Sequence, residues 1–237
     1  MPYRRIPISD EGRLTALRNA KIKADAVGAE CAFSAETKAR LETFLPQFDN
    51  ELTERSTSLQ EQTTATNTHV EIEAKLRLYV SHFLQVFNFA IARGVYVPQD
   101  RVYYGLTLNQ EELPKLSSSN DLETWASNVI DGEVVRTTAG GSAMANPSSA
   151  EVATIFDEFK QSKMNQTSKK DAYDKEQEDV DNMRGTADDI IVDIWDEVEF
   201  TFRKDTASSK RRKAREYGII YITRPGEEPE PEGGETE

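Results

Sequence analysis

An all-α fold, a bundle of long antiparallel helices, is the architecture to expect from this chain. Apolar residues recur at helical spacing along two long stretches, and the polar middle of each stretch, 53–69 and 160–179, contains no Gly or Pro. The apolar supply is also thin for a compact globule of 237 residues: 37% hydrophobic against 30% charged, with a mean hydropathy of -0.64. Elongated helices need less core per residue than a sphere does.

Ser9 followed by Asp10 and Glu11 signals the first helix, a capping residue ahead of acids in the first turn. Leu14, Leu17, Ala20, Ala24 and Val27 continue it, and Gly28 stops it. Ser34 opens the next helix, with Leu41, Phe44, Leu45, Phe48 and Leu52 on its apolar side. Pro46 should kink it, because the ring clashes with the carbonyl four residues back. After the polar stretch 53–69 the stripe returns as Ile72, Leu76, Tyr79, Val80, Phe83, Val86, Phe87, Ala90 and Ile91, ending at Gly94. Asn120-Asp121 reads as the cap of a helix carrying Leu122, Trp125, Val129, Ile130 and Val134. Residues 137–149 are a Gly/Ser/Pro loop.

The second half repeats the plan. Val152, Ile155, Phe156 and Phe159 precede the polar stretch 160–179, and Val180, Met183, Ala187, Ile190, Ile191, Ile194, Trp195, Val198 and Phe202 follow it. Phe87, Phe89, Tyr104 and Gly105 recur as Phe200, Phe202, Tyr217 and Gly218, so a pseudo-two-fold internal repeat is expected. Phe48 matches Phe159 at an offset of 111 and the Phe-x-Phe pair matches at 113, so a two-residue insertion reconciles the halves. Each long stretch reads as one helix of roughly 55 residues, about 80 Å at 1.5 Å per residue. A turn in each polar middle, giving four helices of ordinary length, is the alternative. Ile219–Ile222 is β-prone and long enough for one short strand. The expected division is a first helix over 1–33, repeats over 34–119 and 148–225, a linker over 120–147, and a disordered acidic tail over 226–237.

Charge and cysteine content narrow the function classes. The net charge is -13, with twelve Asp/Glu against two Lys/Arg in 171–199 and six Glu in 227–237. General nucleic-acid binding is therefore disfavoured by phosphate repulsion. Neither a signal peptide nor a membrane span is legible, and a single cysteine, Cys31, allows no intrachain disulfide, which points to the cytoplasm.

No catalytic set assembles along the chain. His69 and His82 are each preceded three residues earlier by Thr66 and Tyr79, not by the glutamate a di-metal helical site requires. No cofactor or metal ligand set is expected. Cys31 has no base beside it in sequence, and the loop TAGGSAMANPSSAEV lacks the lysine and spacing of a phosphate-binding loop. Asp189, Asp193 and Asp196 read as a solvated helix face. The basic run Lys210, Arg211, Arg212, Lys213 and Arg215 is a candidate anion contact, although the neighbouring acids can neutralise it and no aromatic residue interleaves it. Phe87, Phe89, Tyr104, Phe200, Phe202 and Tyr217 are candidate interaction residues. Positions i and i+2 of a helix point to different sides, so one of each Phe pair must face a second neighbour.

The segments PYRRIPISDEGRLTALRNA, LRLYVSHFLQVFNFAIARG and AREYGIIYITRPGE resemble an uncharacterised family of helical proteins from Bacteroidota-type bacteria. The resemblance implies a helical fold and carries no activity. The expected function is thus a non-catalytic structural or protein–protein interaction module able to self-associate. The alternative is an anion- or nucleic-acid-associated factor acting through 210–215, and a third reading is an enzyme or metal protein using the carboxylates between Asp188 and Glu199.

Overall fold

The computed structural model describes residues 2–224 and residue 226; the expected acidic tail otherwise lies outside the described residues. The protein is all-α. Helices α1 (Asp10–Val27), α2 (Ala35–Ala92), α3 (Ser119–Thr138), α4 (Ser149–Thr201) and α5 (Ala207–Arg215) are joined by 3-10 turns at Gly28–Glu30 and Pro98–Tyr104. Strand β1 (Tyr3–Arg4) pairs antiparallel with β2 (Tyr221–Ile222). Among the described residues no helix is long and apolar enough to cross a membrane.

Both polar middles are unbroken helix, in α2 of 58 residues and α4 of 53. The expected kink at Pro46 does not interrupt α2. Pro46 and Glu42, whose carbonyl loses its helical donor, are both exposed, so water can accept that cost. Capping follows side-chain chemistry. Ser9 Oγ accepts from Gly12 N at 3.1 Å, and Ser34 Oγ from Thr37 N at 3.2 Å. The cap of α3 is Ser118, not Asn120: Ser118 Oγ accepts from Asp121 N while Asp121 accepts in return from Ser118 N, a reciprocal box that Asn120 cannot form. Ser148 and Glu151 do the same for α4.

The chain forms two compact units. They are not consecutive repeats, because each takes half of both long helices. The first comprises the described residues of Met1–Ser58 and Tyr173–Glu237. Its core joins Leu14, Leu17 and Ala20 of α1, Leu41, Phe44 and Phe48 of α2, Ile190, Ile194, Trp195 and Val198 of α4, and Tyr217 and Ile219 beyond α5. Here α2 and α4 run antiparallel, as the contacts Arg40–Asp193 and Thr37–Glu197 require. The second unit is Leu59–Ala172. Its core joins Leu76, Val80, Phe83 and Phe87 of α2, Leu122, Ala126 and Val129 of α3, Val152, Ile155 and Phe159 of α4, and Tyr104. His69–Ser162 and Lys75–Glu158 again set α2 against α4 antiparallel.

Buried positions of the long helices correspond at one separation, 111 residues: Leu76 with Ala187, Val80 with Ile191, Phe83 with Ile194, Leu84 with Trp195, Phe87 with Val198. The sequence pairing of Phe87 with Phe200 does not share this register, since Phe87 is 0% and Phe200 65% exposed. Tyr104 and Tyr217, 113 residues apart, are both buried, and each precedes a glycine in the left-handed region, Gly105 (φ 71°) and Gly218 (φ 84°).

In the first unit α1 is fastened by charge as well as by its apolar stripe. Asp10, in its first turn, accepts from Arg184 Nε at 2.7 Å and Arg184 Nη2 at 2.8 Å, and from Arg55 Nη1 at 2.7 Å. Arg13 bridges to Asp188 at 2.8 and 3.0 Å. The Arg184 hydrogen bond leads the causes that lower the Asp10 pKa from 3.8 to about 2, against the opposing effect of burial. A depressed carboxylate stabilises the fold above its unfolded pKa and loses that contribution as pH falls through the folded value. Asp10→Asn should therefore cost about 2 kcal/mol near neutral pH, and the difference from wild type in chemical denaturation should vanish as pH drops from about 4 to 2. Equal stability of the two proteins at neutral pH would contradict this.

Candidate functional site

The second unit holds a charged centre that no sequence motif announced. Its foundation is a close backbone approach: a Cβ on Gly132 of α3 would lie 2.4 Å from the Tyr103 carbonyl oxygen. That contact lets the turn Pro98–Tyr104 lie on α3 and carries the Tyr104 ring into the core, edge-on to Phe83 and Phe87 with centroids at 5.7 and 4.7 Å. The Tyr104 hydroxyl donates to Glu133 and accepts from Arg136 Nε at 2.8 Å. Arg136 also reaches Glu133 through Nε and Nη2, both at 3.0 Å, and Nη2 donates to the Ser142 carbonyl at 2.6 Å. Met144 N donates to Glu133 at 2.6 Å, and the Arg136 guanidinium lies 4.4 Å from the centre of the Tyr96 ring. Burial first, then Glu133, pushes the Tyr104 phenol well above its ordinary value.

Tyr104, Glu133 and Arg136 are all at most 3% exposed. The centre is closed to solvent, and its contacts with Ser142 and Met144 fix the loop between α3 and α4. A buried ion pair of this kind is costly to break one-sidedly because the surviving charge loses its compensation.

The six aromatic candidates divide. Phe87, Tyr104 and Tyr217 are core residues, and Tyr217 Oη accepts from Ala32 N at 3.3 Å. Phe202 packs partly buried against Tyr217 at 6.3 Å, under Lys213 Nζ at 5.2 Å. Phe89 and Phe200 are exposed, at 63% and 65%, and Phe200 carries the Arg203 guanidinium at 3.9 Å. The basic run divides as well. Arg211 is buried, and Lys213 pairs with Asp205 at 2.7 Å. Arg215 lies over Tyr221 at 5.6 Å, while Arg212 is exposed.

The remaining candidates are structural in their geometry. His69 is buried, with Nδ1 2.9 Å from Ser162 Oγ and its ring 5.1 Å from Phe159; His82 is exposed. Cys31 borders an open hollow of about 570 Å³ between the start of α2 and the end of α4, shared with Phe33, Glu197 and Phe200. No histidine lines it, and Glu197 is engaged with Ser34 and, at 2.5 Å, with Thr37 Oγ1. Asp193 and Asp196 pair with Arg40 and Arg4, each at 2.5 Å, and Asp189 is exposed.

One acidic group could accept a cation. Glu51 of α2 and Glu176 and Asp179 of α4 are half-buried, with carboxylate oxygens within 4.8 Å of one another. Burial, then Glu54, Asp179 and Glu176, raises the Glu51 pKa. A second group, of which sequence reasoning named only Phe89 as an interaction residue, is the exposed apolar set of the second unit. Phe89, Val95, Val97, Val102, Val134 and Val135 are all more than half exposed. Arg101 ties the turn to α2 through Asn88 at 3.1 Å and to the following loop through the Leu108 carbonyl at 2.8 Å.

Truncating Arg136 to Ala should cost about 3–5 kcal/mol, while Arg136→Met with Glu133→Leu should recover most of the loss in thermal unfolding. Glu51→Gln should raise the melting temperature at neutral pH, since the wild-type carboxylate is destabilised by its neighbours. The gain should disappear in acid, where Glu51 is protonated in both folded and unfolded chains. A destabilised Glu51→Gln variant would mean the carboxylates attract a cation instead of repelling one another.

Comparison with protein-family models, with curated proteins and with solved structures gives no match.

Proposed function

We propose that this chain is a non-catalytic helical interaction module of the cytoplasm, which binds protein, and in the first place a second copy of itself, through the exposed apolar end of the Leu59–Ala172 unit. One observation carries the reading. Of the nineteen exposed large hydrophobic residues among the described ones, nine fall between Phe89 and Val135. They come from the end of α2, the Pro98–Tyr104 turn with its flanking loops, and α3. Leaving such surface in water forgoes about 25 cal/mol per Å² on burial, and concentrated apolar surface is characteristic of association sites.

The buried network beneath this end supports the reading, because an interface needs rigid backing and Arg136, Glu133 and Tyr104 fasten the turn, α3 and the next loop together. We also read the two units as copies of one helical plan, supported by the constant separation of their buried positions and by the two buried Tyr-Gly pairs.

Sedimentation velocity across the micromolar range tests the interaction. The wild type should show concentration-dependent association, and Val102→Glu with Val135→Glu should abolish it while leaving helicity unchanged. A wild type that stays monomeric at the highest concentrations and cross-links to nothing in its native lysate would end the proposal.

A further inference from the structure

The first unit presents a second surface, of opposite character, that exists only because the segment Tyr3–Arg5 meets the segment Ile220–Ile222. Tyr3 pairs with Ile222 and Arg4 with Tyr221, and Arg5 N extends the ladder to the Ile220 carbonyl at 3.0 Å. Side chains alternate across a strand. Arg4 and Tyr221 take the inner side, where Arg4 meets Asp196 at 2.5 Å and Glu199 at 3.6 Å, and the Tyr221 hydroxyl meets Glu199 at 2.5 Å. Tyr3, Arg5, Ile220 and Arg224 are left on the outer side, and all four are exposed. The Arg224 guanidinium lies 5.8 Å from the centre of the Tyr3 ring.

Helix α5 adjoins this ribbon, with Arg215 over Tyr221. Arg212 and Arg215, three residues apart, share its exposed side. Among the described residues none of Arg5, Arg212, Arg215 and Arg224 forms an ion pair. Segments 2–8 and 203–224 together contain ten Lys/Arg and two Asp/Glu. The nearest acids of α4, Asp196 and Glu199, are already occupied from within by Arg4 and Tyr221. Charges farther off contribute little, because screening at physiological salt has a length of about 8 Å. The distant acids of α4 therefore do not govern this surface, whereas the six Glu of 227–237 follow Arg224 directly in sequence, and a nucleic acid must compete with them for it.

The fold also supplies what the basic run lacks in sequence, aromatic rings among the cations. Guanidinium groups grip phosphate in a planar, two-point fashion, and an exposed tyrosine ring offers a face to a base that is not already stacked in a duplex. We propose that the outer side of the β1–β2 ribbon binds single-stranded nucleic acid, with Arg5 and Arg224 on phosphates and Tyr3 stacked on a base, while Arg212 and Arg215 of α5 add positive charge nearby. This surface belongs to the first unit and is independent of the apolar end proposed above for self-association.

Fluorescence anisotropy of the full chain with labelled oligothymidylate and oligouridylate at low salt is the test, with a duplex of equal length and anionic phosphatidylglycerol vesicles as competitors. Binding should be salt-dependent, and Arg5→Gln with Arg224→Gln should weaken it at least tenfold. The slope of log affinity against log salt should fall by about 1.4 for these two contacts, at roughly 0.7 per phosphate on a single strand. Tyr3→Ala should weaken binding by about tenfold or more and Tyr3→Phe should restore it, which separates stacking from charge. Both arginines are exposed and unpaired, so circular dichroism should show unchanged folding; should the double variant unfold, the Tyr3 pair alone decides. No binding at low salt, equal binding by the variants, or tighter binding to vesicles or duplex than to the single strand would overturn the proposal.

Discussion

Lateral pairing of α2 with α4 is the constraint on which everything else in this molecule depends. Helices of 58 and 53 residues with polar middles have too little apolar surface to persist alone, and in folded proteins helices draw most of their stability from a packed side. The register of that pairing is set separately in each unit. In the first it is set by Leu41, Phe44 and Phe48 against Ile190, Ile194 and Trp195, and in the second by Leu76, Val80 and Phe83 against Val152, Ile155 and Phe159. Where the stripe thins, polar pairs such as Lys169–Glu61 and His69–Ser162 keep the partners aligned.

Charge does two different jobs. Around Asp10 it is peripheral and attractive, three arginines fastening the start of α1. Around Glu133 it is buried and conditional, tolerable because nearly every donor and acceptor is matched within the set Tyr104, Arg136, Ser142 and Met144. The first arrangement contributes to stability at neutral pH and loses that contribution as pH falls from about 4 to 2. The second specifies one conformation for a loop that glycine would otherwise leave free.

Much of the fold was legible because its causes are local. Caps at Ser9 and Ser34, stops at Gly28 and Gly94, and stripes of period 3.6 are written within a few residues of where they act. Phe200 was misread because Phe-x-Phe is a local match, whereas burial depends on helix register, which is counted from residues far upstream. Glu133 and Arg136 sit three apart on a helix like any surface ion pair, and nothing in their spacing reveals that Tyr104 will cover them. Arg4 and Arg5 gave no hint of meeting Tyr221 and Ile220, since the strand that brings them there pairs across almost the whole chain. The candidate surfaces were therefore only half visible: their residues were named in part, and their companions came from tertiary structure.

The Leu59–Ala172 unit is one uninterrupted stretch of chain, inserted in sequence between the two segments of the other. A ribosome that has released residue 172 has delivered every part of that inner unit, and at ordinary elongation rates several seconds pass before the last described residues follow. During that interval α1 and the start of α2 exist without Trp195, Tyr217 or the strand that pairs with Tyr3. Synthesis itself thus imposes a sequence of assembly, in which the apolar end is finished first and the pairing of Tyr3–Arg4 with Tyr221–Ile222 is the closing act.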